Sequence, residues 1–446
     1  MNTSNDHSMK RNGITRRTFL KRAALAGAAG LPSFVPRHVL GFSDKPGAND
    51  QIRLGLIGAG GRGAAVAREA ANAGARIAAV CDVDQNHLAR AAKTFEKADQ
   101  SFKVATFVDY RRLMESKELD AVIIAAPDHW HALMTVHACQ AGKDVYCEKP
   151  ACNTIAEGQA MVRAALLHQR IVQIGSQGRS HPDAQAAREY IRSGKLGKVT
   201  KVTCWHPSNR EGGFEPSTEP PAHLDWDKWL GPAKWRPYNA AIHPFGFRWL
   251  IDLGGGNIRD RGAHIFSVAS FLMDADAQGP VSVEATGEPP KRGLYDCPTT
   301  MRVVYEFKKP GWTLVWEQPG ERPQTSGKKD YGSKYWGDKN TLWVEGGDGG
   351  VLTEEKARKA AGLSDERINA TKPHMENFLA CLRSREKPAM SVEKGVKVAN
   401  LCILGNLSYL LKRKLNWDPA KEKFLLDDEA NKLLSNPGRG EWRLGA

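Results

Sequence analysis

Ile52-Arg53-Leu54-Gly55-Leu56-Ile57-Gly58-Ala59-Gly60-Gly61-Arg62-Gly63 is the stretch on which the reading of this chain turns. Its first half is a short apolar run of strand type, its second half a glycine turn, and an Ala-rich helical segment follows to Ala73, where Gly74 is a natural stop. In a strand–turn–helix unit Gly58 permits the tight turn, Gly60 removes a Cβ that would block a pyrophosphate, and Gly63 lets helix and strand pack closely. The helix start then presents amide N–H groups and a partial positive charge to phosphate.

A glycine pattern alone is weak, so the next strand carries weight. Arg76-Ile77-Ala78-Ala79-Val80-Cys81 ends in Asp82, 19 residues beyond Gly63. A carboxylate there accepts hydrogen bonds from both hydroxyls of an adenosine ribose and repels a 2′-phosphate, which favours NAD; Arg62 partly offsets that repulsion and leaves NADP open. Strand-like runs at Asp120 to Ala126, Lys143 to Cys147 and Ile171 to Gly175 alternate with helical segments, as a parallel sheet requires. Pro127 to His131, Glu148-Lys149-Pro150 and Ser176-Gln177-Gly178-Arg179 fall at the carboxyl ends of those strands, where such sheets bind ligands.

From Gln177 the pattern changes. Strand-like runs at Lys198 to Trp205, Val281 to Thr286, Met301 to Phe307, Trp312 to Glu317 and Thr341 to Glu345 mostly lack intervening helices, which predicts a large open, mainly antiparallel sheet. The fold class is therefore an α/β Rossmann domain with a parallel sheet, followed by an α+β domain. The expected divisions are 1–45 leader, 50–176 nucleotide domain, 177–390 substrate domain and 391–446 a helix and tail packed on the body, with 415–446 read as a tail or intersubunit arm. Asp260 and His264, four apart, are expected on one helix face. His243 to Trp249, including Arg248, mixes aromatics with donors and reads as a candidate sugar platform or a packed aromatic turn, while Arg259 and Arg261 flank Asp260 and read as binding either an acidic sugar or only solvent.

Composition sets the outer limits. The 446 residues, 41% hydrophobic and 26% charged, suit two soluble domains plus appendages. Of the net charge of +14, the first 50 residues supply eight Lys/Arg against three Asp/Glu, and no basic run with interleaved aromatics follows, so nucleic acid is not an expected partner. Eight scattered cysteines with no Cys-x-x-Cys pair read as buried thiols, and no metal site is expected. Thr15-Arg16-Arg17-Thr18-Phe19-Leu20-Lys21 before a mildly apolar Ala23 to Val35 is a twin-arginine (Tat) export signal, which predicts export by the Tat machinery to a periplasmic place or to the outer side of the membrane.

The glycine turn, Ala126-Pro127 with His131, Glu148-Lys149-Pro150, and Asp260 with His264 together resemble the Gfo/Idh/MocA family, over about residues 50 to 415. The resemblance implies an NAD(P)-dependent oxidoreductase acting on a ring hydroxyl of a sugar, glycoside or cyclic polyol. It implies Lys149, Asp260 and His264 as the catalytic trio and His131 near the cofactor. Burial beside a cationic nicotinamide would lower the pKa of a lysine at position 149 toward a useful range. Gly58, Gly60, Arg62, Gly63, Asp82, Pro127, His131, Glu148, Lys149 and Gln177 are the expected nucleotide contacts. Lys149, Arg179, His243, Arg248, Asp260 and His264 are the expected substrate contacts. An exported enzyme lacks a free NAD pool, so a tightly held, internally recycled cofactor is expected, as is a homo-oligomer, dimer or tetramer. The competing readings are an NAD-dependent glycoside hydrolase that works by transient oxidation and a non-catalytic periplasmic sugar-binding protein.

Overall fold

The computed structural model describes residues 51–100, 102–308, 311–321, 330–346, 351–352 and 369–444. The leader and its twin arginines lie outside the described residues.

Six strands form the first sheet: β1 (Arg53–Ile57), β2 (Arg76–Cys81), β3 (Ala105–Phe107), β4 (Ala121–Ile124), β5 (Asp144–Glu148) and β6 (Val172–Gly175). Their order is β3-β2-β1-β4-β5-β6, all neighbours parallel, the doubly wound arrangement in which ligands bind at the carboxyl ends of the strands. Strands β4 and β5 are buried throughout, as continuous apolar runs between two helical layers should be. The helices have local reasons to start where they do. Helix α1 (Gly61–Asn72) begins at the glycine turn, α2 (Gln85–Ala98) is capped by Asp84, which accepts from the amides of Asn86 and His87, and α4 (Ile155–Leu167) has a Thr154–Glu157 capping box. Between the last two, α3 (His131–Gln140) starts directly after the loop at the end of β4.

The second sheet runs β13-β12-β11-β7-β10-β9-β8-β14-β15. It is built on β7 (Val199–Trp205), β8 (Ser282–Glu288), β9 (Thr300–Phe307), β10 (Trp312–Gln318), β11 (Gly332–Gly337) and β12 (Thr341–Glu345), with the short β13 (Val351–Leu352), β14 (Leu415–Asp418) and β15 (Lys423–Phe424) at its edges. All its pairs are antiparallel except β7 with β10. On β9, Met301, Val303, Tyr305 and Phe307 are buried while Arg302 and Glu306 are exposed, the period of two of a half-covered sheet. The covering layer is α6 (Gly262–Leu272) and α8 (Val392–Leu411), whose Phe266, Leu401 and Leu404 share one core with Val303 and Tyr305.

Two features depart from the sequence reading. Asp260 and His264 do not share one helix: α5 (Asn257–Asp260) stops, Arg261 intervenes, and α6 starts at Gly262. Helix α7 (Thr371–Ser384), read as part of the substrate domain, puts Met375, Phe378 and Leu379 into the nucleotide domain's core with Leu54, Val66 and Tyr146. Residues 415–444 pack on the body, in keeping with the tail expected there. β14 pairs with β8, and Trp442 packs on Tyr110 and Trp130 with ring centroids 6.3 Å and 5.1 Å away, strapping the chain's end to the first domain. All eight cysteines are buried and free, including Cys147 and Cys152. Among the described residues no helix is long and apolar enough to cross a membrane.

Candidate active site

A cleft of about 1280 Å³ opens along the carboxyl ends of β1, β2, β4 and β5 and is closed opposite by the second domain. It brings together every residue singled out as a nucleotide or substrate contact except Arg179.

The nucleotide half follows from the glycine turn. Gly58 has φ 83°, and a Cβ there would lie 2.6 Å from the Ala125 carbonyl. A Cβ on Gly63 would run into the Gly58 carbonyl oxygen, so that glycine serves the packing of α1 against the turn. Gly60 is different: a Cβ there would meet nothing nearer than the His87 ring at 3.6 Å, so the fold itself does not require glycine. The room it leaves opens into the cleft beside the start of α1, whose N-cap makes no side-chain hydrogen bond. This cradle fits a dinucleotide pyrophosphate. Asp82 stands at the end of β2, accepting from the Ala59 and Asp84 amides at 2.7 Å and 2.8 Å. His87 has its pKa raised by its bond to Asp82, against the pull of burial.

Arg62 leaves Asp82 aside and crosses to β5, donating through Nε and Nη2 to Glu148 Oε1 at 2.9 Å and 2.7 Å. Gln177 donates to the same oxygen at 2.9 Å and to the Tyr146 hydroxyl at 2.8 Å. Burial pushes the Glu148 carboxyl up, but Arg62 outweighs it and holds the group below the usual range. Glu148 is thus a fixed anion tying the glycine turn to the strand that carries Lys149.

The substrate half centres on Asp260. Lys149 Nζ donates to Asp260 Oδ1 at 2.6 Å and to its main-chain oxygen at 2.8 Å. Arg248 Nε and Arg261 Nε lie 3.6 Å and 3.7 Å from the same carboxylate. Burial raises the Asp260 pKa, yet Lys149, Arg248 and Arg261 together drive it far below the carboxylate range. His264, 5% exposed, lines the cleft from the first turn of α6.

His131 is a strut. Its Nδ1 lies 2.7 Å from the Pro150 carbonyl and its Nε2 2.8 Å from that of Ala126. Carbonyl oxygens only accept, so both ring nitrogens donate and the ring is an imidazolium. Burial lowers its pKa, but Cys147, Asp128 and the Pro150 carbonyl raise it to about 10. This cation clamps the loop after β4 to the turn after β5, in which the Lys149–Pro150 peptide is cis.

Two expected substrate contacts, and one arginine that flanks Asp260, have other places. Arg179 is 1% exposed and donates to Ser267 Oγ at 2.8 Å and Asp276 Oδ2 at 2.6 Å, outside the cleft lining, where it fastens the turn after β6 to α6 and the residues just beyond it. His243 lines the cleft and packs on Trp229; burial lowers its pKa, and the charges that act on it, Asp84, His87 and Asp82, belong to the nucleotide half. Arg259, 3% exposed, is no substrate cation, since it donates to Cys152 O at 3.0 Å and to the Asn153 side chain. The sequence reading passed over Asp128, His206, Arg210 and Trp442, which also line the cleft. Of these only Asp128, at a strand end beside His131, carried a sequence signal; burial pushes its carboxyl pKa up.

Residues 52–176 match the model for the oxidoreductase family's NAD-binding Rossmann fold, and residues 196–444 match that for its C-terminal alpha/beta domain. This chain belongs to the Gfo/Idh/MocA oxidoreductase family. Among Gfo/Idh/MocA-like proteins, it is 30% identical over 210 residues to an inositol 2-dehydrogenase of Rubrobacter xylanophilus, covering 46% of this chain and 54% of that one. It is 34% identical over 178 residues to a glycosyl hydrolase family 109 protein of Shewanella sp. (strain ANA-3), covering 36% and 38%. The chain thus spans about half or less of the curated relatives it matches. Its fold is that of the aldose-aldose oxidoreductase of Caulobacter crescentus, with a TM-score of 0.59 and 18% identity over 82% of this chain and 99% of that one.

Proposed function

We propose that this family member oxidises a ring hydroxyl of a sugar, glycoside or cyclic polyol, with NAD favoured over NADP. The observation that carries the reading is the Lys149–Asp260 pair set at the end of β5, in the same cleft as the glycine cradle. A bound nicotinamide supplies a hydride acceptor. Amides at the start of α1 hold the pyrophosphate, and Asp82 takes the ribose hydroxyls. The Lys149 ammonium has three N–H donors, two of them given to Asp260, which leaves one for the substrate oxygen. That donor stabilises negative charge as it develops on the oxygen, Asp260 fixes the donor's position, and His264 takes the hydroxyl proton. Asp82 and the diversion of Arg62 to Glu148 both speak against a 2′-phosphate.

The twin-arginine segment supports export by the Tat route to a periplasmic or membrane-associated place. Export in turn requires a tightly held cofactor, re-oxidised by a second carbohydrate carbonyl. The half-open second sheet suits a homo-oligomer. Likeness to a family 109 glycosyl hydrolase favours a second reading, glycoside cleavage through the same transient oxidation. Glu148-Lys149-Pro150 weighs toward the simple dehydrogenase. Mass spectrometry of the supernatant from denatured, freshly purified protein tests the cofactor: stoichiometric NAD(H) is expected, and either NADP(H) or no nucleotide counts against the proposal.

A further inference from the structure

The redox chemistry above needs one cation at the reacting oxygen, and Lys149 supplies it. The cleft holds more. Arg248 and Arg261 crowd a carboxylate that Lys149 already pairs at 2.6 Å, and Arg210 at the rim has no ion-pair partner among the described residues. Among the described residues, the acids that face these four cations are Asp260, Asp330 and Asp128, and Lys149 and Arg248 are among the charges that act on Asp128. Holding several cations together in a partly desolvated cleft costs free energy unless an anion joins them.

Arg248 is also placed to be used. Its side chain is 29% exposed, its guanidinium carbon lies 4.7 Å from the Phe247 ring centroid, and its Nη1 donates to Phe245 O at 3.2 Å. Its Nη2 makes no hydrogen bond among the described residues. The exposed ring of Phe245 lines the cleft beside it, so an apolar sugar face and an anion-binding fork lie side by side.

We infer that the substrate is an anionic carbohydrate, a sugar bearing a carboxylate or a phosphate, whose oxyanion is received by Arg248 with Arg210 at the rim. This deepens the proposed function and rests on the same cleft being the substrate site. A charge-assisted arginine–oxyanion contact is worth about ten- to a hundredfold in affinity.

The test is calorimetric titration of NAD-loaded protein with matched sugars in gluco, galacto and manno configuration, each as neutral hexose, hexuronate and hexose 6-phosphate. The expected result is that in at least one configuration an anion binds at least tenfold tighter than its neutral partner. Arg248→Gln should remove most of that advantage, Arg210→Gln part of it, and Arg248→Lys should keep some. A preference for the uronate or for the phosphate says which oxyanion is meant. Equal or absent binding of neutral and charged partners, or a preference that survives Arg248→Gln in a protein that melts normally, overturns the inference. Reduction of nucleotide, followed at 340 nm in the same mixtures, reports separately on the redox reading. Anion preference without reduction keeps this inference and sinks that one, and reduction of neutral sugars without preference does the reverse.

Discussion

Replacing Lys149 by Met separates chemistry from architecture. The ammonium makes two short bonds to Asp260, and the two side chains are 13% and 16% exposed. Hydrogen bonds to charged groups contribute about 1.5–3 kcal/mol, but this pair faces an open cleft, and Arg248 and Arg261 remain to screen the carboxylate. The expected stability loss is therefore about 1–2 kcal/mol, a fall of a few degrees in melting temperature. The sign is that of a carboxylate with depressed pKa: the stabilisation is present above the unfolded-state pKa of about 3.9 and fades as pH drops toward the far lower folded value, so the parent and the variant converge in acid. NAD affinity should change far less than turnover, because the glycine cradle and Asp82, which hold the pyrophosphate and ribose, are untouched. Turnover should fall about 10²–10⁴-fold, and Lys149→Arg, which keeps the charge but not the compact donor, should fall nearly as far. The assays are thermal melting, NAD titration and steady-state rates. Turnover of Lys149→Met within roughly tenfold of the parent would refute the assigned role.

Two further outcomes follow from particular atoms. Gly60→Ala should melt like the parent yet lose at least tenfold in NAD affinity, whereas Gly63→Ala, whose Cβ meets the Gly58 carbonyl, should lose about 1–3 kcal/mol of stability; melting curves with and without NAD read both, and the reverse pattern would dissolve the cradle argument. The raised pKa of His131 means that its stabilisation is full below about pH 6.5 and is lost as pH rises through about 10, so chemical denaturation over that window should show a decline that His131→Gln lacks, and parallel slopes would contradict the imidazolium strut.

The parts of this protein legible in sequence are those set by neighbours along the chain. A glycine turn needs its glycines in place, β5 delivers Glu148 and Lys149 to one strand end, and alternation marks β9 and β10. What escaped depends on contacts between distant residues. Arg179 looked like a cleft cation at a strand end, but Asp276 and Ser267, some ninety residues on, draw it into the core. His243 has the aromatic sequence neighbours of a sugar platform, yet it packs on Trp229 and the charges that act on it belong to the nucleotide half. Helix α7 carries an ordinary apolar face, and no local signal says that the partner of that face is the first domain. The continuous helix expected through Asp260 and His264 fails at Arg261, while both residues still reach the cleft because α5 and α6 each start beside it.

The most direct test of the account is a single-turnover experiment: protein carrying oxidised nucleotide is mixed with the neutral and anionic sugar panel, and absorbance at 340 nm is followed in the parent and in Lys149→Met. The account predicts sugar-dependent reduction of the bound nucleotide in the parent and reduction at least about a hundredfold slower in the variant. A nucleotide-loaded parent that no carbohydrate reduces, or equal reduction in both proteins, would contradict it.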